Sequence, residues 1–235
     1  MKSTPQTIGA MAALSALTLL VSAPTLTLAD EGGRPSVNTA VVAVPATDKN
    51  SVLVEKYVFN AGTGDTVPNA VAGGDPVTLH ATTWTTPGYK DAKAAVRLDG
   101  KTSNIPLASR KTPITPISLK FVVKPAALSG LLFGDVGGLT VQIQPTGRVL
   151  CLRHEGKWAA VESADSLTVG QWAEVEYQWD GAVERVFIDG KLSAEAPAGP
   201  GFASANRGLG CNFYGATSNY FAGDIASFEL RTLKK

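Results

Sequence analysis

The segment 167–191, LTVGQWAEVEYQWDGAVERVFIDGK, constrains the fold of this chain more than any other stretch. Its centre is Asp180-Gly181, and an Asp-Gly pair between two alternating runs is a strong signal for a tight β-hairpin, because glycine accepts the positive φ that such turns require. A turn at this pair keeps apolar side chains on one face and charged ones on the other, whereas a slip of one residue would mix the faces. The predicted cross-strand pairs are Val175 with Val186, Ala173 with Ile188, and Glu176 with Arg185.

The same alternation, with a period of two, recurs from residue 51 onwards. Four apolar residues at alternate positions from Ile117 to Val123 share one side of a predicted strand, which ends at Pro125 because proline cannot donate to a central ladder. The 24 glycines and 14 prolines suit many turns between short strands. The pattern predicts an all-β fold, a two-sheet antiparallel sandwich of about a dozen strands. The predicted core aromatics are Phe121, Trp172, Tyr177, Trp179 and Phe228.

Breaks in the alternation predict where the longer loops lie. Trp84 to Lys93 and Ala194 to Ala205 are rich in residues that favour turns, and both are predicted to be loops. Leu209 to Tyr214 is predicted to be a strand between the second loop and the last strand of the chain.

The first 29 residues have the features of a secretory signal peptide. A weakly positive start precedes an apolar and small-residue run from Ile8 to Val21, and Thr27-Leu28-Ala29 is a small-x-small cleavage site. The apolar run is shorter than the roughly 20 residues that a membrane anchor needs. Residues 30–50 are then either a flexible spacer or a loosely attached edge strand, and 51–235 form one domain. The protein is therefore predicted to be secreted or periplasmic.

Charge is balanced over the predicted mature chain. The signal segment contains a single lysine and no acidic residue, so 20 basic and 20 acidic residues remain after cleavage. A balanced surface argues against nucleic acid or an anionic membrane as the main partner. An extracellular glycan or protein is the expected class of partner.

Two cysteines, Cys151 and Cys211, lie inside predicted strands. In an oxidising compartment an even number of cysteines permits a disulfide. The alternative is a pair of buried free thiols that act as small apolar side chains. The Cα separation decides between the two alternatives, and it depends on how the strands are arranged in space.

Three segments, in matching order and spacing, resemble the laminin-G-like, concanavalin A-like jelly-roll domains found in many secreted bacterial proteins. The segments are Tyr57–Asp65 with Ala95–Gly100, Gly170–Lys191, and Gly208–Cys211 with Tyr220–Ile225. The resemblance spans nearly all of 51–233 and implies a jelly-roll sandwich in which the two ends of the domain pair. This architecture hosts lectins, glucanases, lyases, adhesion modules and spacers, so it does not by itself assign an activity.

Glucanases of this fold resemble one another in an acidic cluster of the type Glu-x-Asp-x-x-Glu on one strand, where alternation puts the carboxylates on one face for acid and nucleophile roles. Glu174 and Glu176 have the same-face spacing, but Gln178 and Asp180 follow in a different pattern. The alternative is a solvated face in which Glu176 pairs with Arg185 across the hairpin. Glu174 and Glu176 are the catalytic candidates, and a non-catalytic role is favoured.

Calcium is the metal that the resemblance brings into consideration, because many relatives of this fold bind it. Carboxylate and amide oxygens suit this hard cation, although the same residues are also common in turns. The candidate ligands are Asp135, Asn212, Asn219 and Asp224. The two histidines, His80 and His154, have no partner at ligand spacing, which argues against zinc.

Aromatic residues in loops or at strand ends are candidate platforms for sugars, because a shallow sugar site needs exposed rings with polar groups beside them. The favoured function is a secreted, non-catalytic module that binds carbohydrate or another extracellular polymer. The alternatives are a structural or protein-interaction domain without a small ligand, and a glycan hydrolase or lyase. The predicted ligand-binding residues are Trp158, Asn212, Tyr214, Asn219 and Tyr220.

Overall fold

The fold is that of a computed structural model, and its described residues fall into six ranges. These ranges are 51–107, 116–135, 138–155, 157–198, 206–213 and 218–234. The predicted signal peptide at 1–29 and the predicted spacer at 30–50 lie outside them and stay predictions. Within the six ranges the regular elements are β-strands, and no helix is long and apolar enough to cross a membrane.

The described residues form sixteen strands. In chain order they are β1 (Ser51–Val58), β2 (Thr66–Val67), β3 (Val77–Thr78), β4 (Thr83–Thr85), β5 (Ala95–Asp99), β6 (Ile105–Pro106), β7 (Ile117–Pro125), β8 (Gly130–Asp135), β9 (Leu139–Ile143), β10 (Arg148–Glu155), β11 (Lys157–Ser166), β12 (Ala173–Trp179), β13 (Val183–Ile188), β14 (Lys191–Pro197), β15 (Arg207–Leu209) and β16 (Ala222–Leu233).

Two antiparallel sheets contain most of these strands. The eight-stranded sheet has the order β14-β13-β12-β7-β16-β5-β4, with β1 also paired to β16. The six-stranded sheet has the order β11-β10-β9-β8-β15-β6, and β2 and β3 form a small separate sheet. The first and last strands pair from Ser51 opposite Leu233 to Val58 opposite Ser227, as the resemblance implies for the ends of the domain. The predicted all-β jelly-roll sandwich is confirmed.

The core lies between the two main sheets and is centred on aromatic side chains. The ring of Phe228 lies 5.3 Å from that of Phe121 in its own sheet and 6.1 Å from that of Phe133 in the other sheet. Burying a side chain of this size contributes about 1.5–3 kcal/mol. Four predicted core aromatics, Phe121, Tyr177, Trp179 and Phe228, are buried, and the predicted alternation along β7 is confirmed.

Trp172 was predicted to belong to this core, and that prediction is wrong. It is half-buried on the outer face of the eight-stranded sheet, in a small cluster with Tyr89, Ala95, Val122 and Ala226. The reason is strand alternation. Ala173 and Val175 point into the sandwich, so the residue before Ala173 points out of it.

The hairpin at the centre of 167–191 is confirmed, but its register differs by two residues from the predicted one. Val175 lies opposite Ile188, and Tyr177 opposite Val186. The turn is centred on Gly181-Ala182, with Gly181 at φ +98°, which is the geometry of a type II′ turn with glycine at the first central position. Asp180 precedes the turn, and its carboxylate accepts the N–H groups of residues 182 and 183. A shift of two residues preserves both faces, so side-chain alternation alone did not distinguish the two registers.

The predicted Glu176–Arg185 pair is therefore wrong. Arg185 instead donates to Asp180 and Glu195, both at 2.7 Å. Glu176 accepts from the Ser118 hydroxyl at 2.6 Å on the neighbouring strand β7.

Three element boundaries also differ from those predicted. Part of the predicted loop at 84–93 belongs to strand β4, and part of the loop at 194–205 belongs to β14. Both are edge strands with one partner each, so pairing rather than apolar alternation defines them. Of the described residues 209–213 in the predicted strand 209–214, Leu209 alone belongs to the short strand β15.

Two buried ion pairs connect the sheets across the interior. Arg153 of β10 contacts Glu184 of β13, and Arg207 of β15 contacts Glu55 of β1. All four side chains are at most 2% exposed. The hydroxyl of Tyr177 donates to Glu184 at 3.1 Å, and the guanidinium of Arg153 lies 5.4 Å from the indole of Trp179. Each pair takes one partner from each sheet.

Cys151 and Cys211 are both buried free thiols. The sequence left open a disulfide or a pair of buried free thiols, and the structure has the free thiols, with no disulfide between the two residues. Burial raises the pKa of Cys151 well above its usual range and that of Cys211 to about 11. Both side chains therefore remain protonated and pack as small apolar groups.

Candidate functional site

The outer surface of the six-stranded sheet is the candidate site, and strand alternation defines its side chains. Val141, Cys151 and Val161 lie opposite one another on β9, β10 and β11, and all three are buried in the interior. The residues one position away on each strand point to the other side. Two outward rows result, Thr140-Leu152-Ala160 and Gln142-Leu150-Glu162. This surface mixes apolar side chains with hydrogen-bonding groups.

Trp158 lies on the same outward side, at the β11 end of the surface. It is directly opposite His154 on β10, and the two ring centroids are 4.8 Å apart at an interplanar angle of 50°. The indole is 65% exposed, although large aromatic side chains are usually covered in a folded domain. The imidazole supports one part of the ring while the remainder faces solvent. The sequence-predicted candidate Trp158 is thus an exposed platform.

Three of the other predicted ligand-binding residues lie together beside Leu131 on β8, the fourth strand in the order of the six-stranded sheet. The backbone N–H of Leu131, on β8, donates to the carbonyl of Asn219 at 2.9 Å, and Tyr220 forms a β-bridge with Leu131. Asn212 forms a β-bridge with Ser218, next to Asn219. The structure therefore brings Asn212, Asn219 and Tyr220 into one neighbourhood.

Tyr220 extends the outward surface beyond β8. The next residue, Phe221, is fully buried in the core, so alternation directs Tyr220 outward. Four inter-strand steps of about 4.8 Å separate β11 from the position of Tyr220, which amounts to roughly 19 Å. Trp158 and Tyr220 thus lie on the same outward side, at the two ends of the run β11-β10-β9-β8 and the segment bridged to it. The remaining predicted aromatic, Tyr214, lies outside the described residues.

Sequence reasoning did not select the residues between these two ends. The central side chains are Gln142, Leu150 and Leu152, and all three are half-buried. The alternation of β9 indicates that Gln142 faces away from the core, which is a usable signal. The register that places two leucines beside it depends on pairing between strands, and the sequence does not reveal that pairing directly.

The catalytic candidates Glu174 and Glu176 lie on the other sheet, on its outer face. Glu174 forms an ion pair with Lys120 at 2.7 Å. Glu176 is 2% exposed and accepts from Ser118 at 2.6 Å and from Gln178 at 2.8 Å. Burial raises the pKa of Glu176, against the opposing effect of these two hydrogen bonds. The two carboxylates share a face as predicted, but they have different environments.

The four candidate calcium ligands are divided between the two sheets. Asp135 ends β8 and is buried opposite Arg207, and Asn212 and Asn219 lie near the same strand. Asp224 lies on β16 in the eight-stranded sheet, where Arg97 and Lys124 donate to it. Among the described residues no group of three or more histidine, cysteine or acidic side chains is arranged to hold a metal ion. The structure does not bring all four candidates together, and the calcium site stays a prediction.

Several solved structures resemble the described fold at low sequence identity. Domain 4 of AbnA, a GH43 extracellular arabinanase from Geobacillus stearothermophilus solved with arabinotriose, has a TM-score of 0.63 and 18% identity over 79% of this chain and 94% of that one. The botulinum neurotoxin serotype D binding domain has a TM-score of 0.58 and 11% identity over 77% of this chain and 48% of that one. Trypanosoma rangeli sialidase in complex with sialic acid has a TM-score of 0.51 and 12% identity over 77% of this chain and 31% of that one. At these identities the likeness shows the fold alone, and no curated protein sequence matches the chain.

A family model agrees with the sandwich fold and with the predicted resemblance. The model describes the concanavalin A-like lectin/glucanases superfamily and matches residues 99–232, more than half of the 235-residue chain. The matched range begins at the end of β5 and ends in β16, so it includes the surface from Trp158 to Tyr220. The chain belongs to the concanavalin A-like lectin/glucanases superfamily.

Proposed function

We propose that this protein is a secreted, non-catalytic module that binds a neutral polysaccharide across the outer surface of its six-stranded sheet. The observation that carries the proposal is the 65% exposure of Trp158, because an exposed indole on a flat sheet surface can stack against the apolar face of a sugar ring. His154 holds the indole at 4.8 Å and offers a hydrogen-bonding nitrogen beside it. The predicted signal peptide supports a location outside the cytoplasm.

The length of the surface supports a chain rather than a single sugar as ligand. Stacking positions at Trp158 and Tyr220 lie at opposite ends, and Gln142 supplies an amide between them. Asn212 and Asn219 provide further amide groups at the Tyr220 end. Amides and a hydroxyl can donate to and accept from sugar hydroxyls without requiring charge. An extended neutral chain that crosses the strands fits this arrangement.

The direct test is retention of the full chain on a panel of neutral polysaccharides by affinity electrophoresis. Arabinan belongs on this panel because the AbnA domain was solved with arabinotriose. We expect retention on at least one polymer, and we expect Trp158→Ala to abolish it. Val52→Ala is the matched control, because Val52 is an exposed apolar residue on the other sheet. Absence of retention on the whole panel, or equal retention by both variants, would contradict the proposal.

Glycan cleavage is the second candidate function. The observation that favours it is the pair Glu174 and Glu176, in which burial raises the pKa of one carboxyl while Lys120 pairs with the other. Two carboxyl groups with separated environments are the requirement for acid and base roles. If an active preparation releases reducing ends, Glu174→Gln and Glu176→Gln should each abolish that activity. Unchanged turnover in both variants would remove this candidate.

A further inference from the structure

The outer face of the eight-stranded sheet carries a second row of side chains, remote from the Trp158 surface. Arg97 of β5, Asp224 of β16 and Lys124 of β7 lie opposite one another across three neighbouring strands. Trp172, which immediately precedes β12, continues the row, since the next residue pairs with the neighbour of Lys124. We call Arg97, Asp224, Lys124 and Trp172 the cationic row.

The cationic row carries more positive than negative charge. The carboxylate of Asp224 is fully buried and accepts from Arg97 at 2.7 and 3.1 Å and from Lys124 at 2.8 Å. One carboxylate thus serves two cations. Arg97 retains a side-chain exposure of 49%, and both its guanidinium and the Lys124 ammonium have further N–H groups for a ligand. Asp224 fixes both cations in place and offsets only one of their two positive charges.

Two aromatic rings form a wall beside the cationic row. Tyr89, from the loop between β4 and β5, packs with Trp172 against the cluster of Ala95, Val122 and Ala226, and the two rings are 5.5 Å apart. Lys124 lies 5.0 Å from the centroid of the Trp172 ring, and Lys90 lies 4.9 Å from that of Tyr89. Both rings are half-buried, so part of each is open to a ligand. One lysine therefore lies over each ring of the wall.

Nearby carboxylates do not cancel this charge. Glu174 is paired with Lys120. Asp99 stays ionised, and one of its oxygens accepts the backbone N–H groups of residues 101 to 103 in its own turn, so it offsets part of the charge rather than all of it. Asp91 lies in the same loop as Tyr89, where Lys90 and Lys93 outnumber it. An anion at the cationic row therefore meets a positive field.

We propose that the cationic row and the aromatic wall form a second binding site, specific for a saccharide that carries a carboxylate. The carboxylate contacts Arg97 and Lys124, because hydrogen bonds between charged partners are the strong ones and a guanidinium matches a carboxylate in geometry. The sugar ring lies against Tyr89 and Trp172. This site is separate from the Trp158 surface and does not depend on the neutral polysaccharide proposed there.

The probe for the test is an oligogalacturonate of defined length, with its fully methyl-esterified form as the uncharged counterpart. Binding is followed by calorimetry and by the change in tryptophan emission at low salt. We expect the acid to bind and the ester not to bind. Lys124→Gln should weaken the affinity about tenfold, the size of loss that one charged contact commonly produces. Lys234→Gln should leave it unchanged, because Lys234 follows the end of β16, ten residues from Asp224. Trp172→Phe should remove the emission change.

Two further measurements keep the outcome decisive. Lys90→Gln removes a cation that does not contact Asp224, so it tests the site even if Lys124→Gln unfolds. Trp158→Ala should retain full affinity for the acid, which separates this site from the neutral surface. The proposal is overturned if the ester binds as well as the acid, if no binding occurs at low salt, or if Lys234→Gln loses as much affinity as the two site variants.

Discussion

Glu184 and Asp224 are both carboxylates with almost no solvent exposure, and they lie on opposite faces of the same eight-stranded sheet. Glu184 points into the sandwich and pairs with Arg153 from the other sheet. Asp224 points outward and pairs with two cations from neighbouring strands of its own sheet. The inner pair crosses from sheet to sheet, whereas the outer cluster stays within one sheet. The first arrangement fixes how the layers meet, and the second sets the charge of a surface.

The largest expected effect comes from breaking the inner pair. Arg153→Leu leaves Glu184 buried without its cation, so we expect the free energy of unfolding to fall by about 3–5 kcal/mol. The double variant Arg153→Leu/Glu184→Leu removes both charges and should recover most of that loss, because two matched apolar groups avoid the desolvation cost. Urea unfolding of the two variants at pH 7 measures both values. A double variant as unstable as the single one would show that the pair has another role.

These interior pairs mark the limit of what the sequence could reveal. The alternation of apolar side chains along β7 and β12 predicted which residues are buried and therefore the sandwich. Arg153 and Glu184 sit at inward positions of their strands, and nothing local indicates that they meet, since their contact depends on how two sheets pack. The hairpin register shows the same limit, because the predicted pairing of Val175 with Val186 and the observed pairing with Ile188 bury the same face.

In the candidate site, too, some features could be predicted from local sequence and others depend on how the strands are arranged. Trp158 was identified as a loop or strand-end aromatic, and it is exposed. Its distance from Tyr220 and the side chains between them follow from the order β11-β10-β9-β8, which is a property of topology. Trp172 was assigned to the core, and the alternation that begins at Ala173 places it outside. Side-chain alternation along one strand therefore predicts which residues are exposed better than it predicts which residues lie next to one another in space.

Removing the outer carboxylate should have an intermediate effect that depends on pH. Burial alone would raise the pKa of Asp224, but hydrogen bonds from Arg97 and Lys124 outweigh burial and lower it. A carboxyl whose pKa is lowered by folding stabilises the fold above its unfolded pKa of about 3.9, and this contribution is lost as the pH falls through the folded value. We expect Asp224→Asn to cost about 2 kcal/mol at pH 7 and less as the pH falls below about 4. A cost that is independent of pH would contradict the assignment.

Glu176, on the same outer face as Asp224, has a pKa shifted in the opposite direction. Its hydrogen-bond partners, Ser118 and Gln178, are neutral, and burial raises its pKa. A carboxyl whose pKa is raised by folding favours the fold below its unfolded pKa of about 4.3 and disfavours it as the pH rises through the folded value. Glu176→Gln should therefore stabilise the protein at pH 7, and the difference from the parent should vanish below about pH 4. Lower stability of Glu176→Gln at pH 7 would show that the ionised carboxylate is held by a favourable contact.

The smallest expected effect is at the ion pair of Lys56 and Glu229, which are 2.6 Å apart on the outer face of the eight-stranded sheet. The Lys56 side chain is 35% exposed, less than that of Arg97 at 49%. Hydrogen bonding from Lys56 lowers the pKa of Glu229 against the effect of burial, and Arg231 contacts the same carboxylate at 3.2 Å. Because Arg231 remains and solvent screens the lysine, Lys56→Gln should cost no more than about 0.5 kcal/mol, a loss that 0.5 M salt should remove. The measurement is urea unfolding of Lys56→Gln at low salt and in 0.5 M salt, with Arg153→Leu measured in parallel. The loss of stability in Arg153→Leu should persist in salt, because its partner Glu184 is buried. If salt reduced both losses equally, burial would not be what distinguishes the inner face from the outer one.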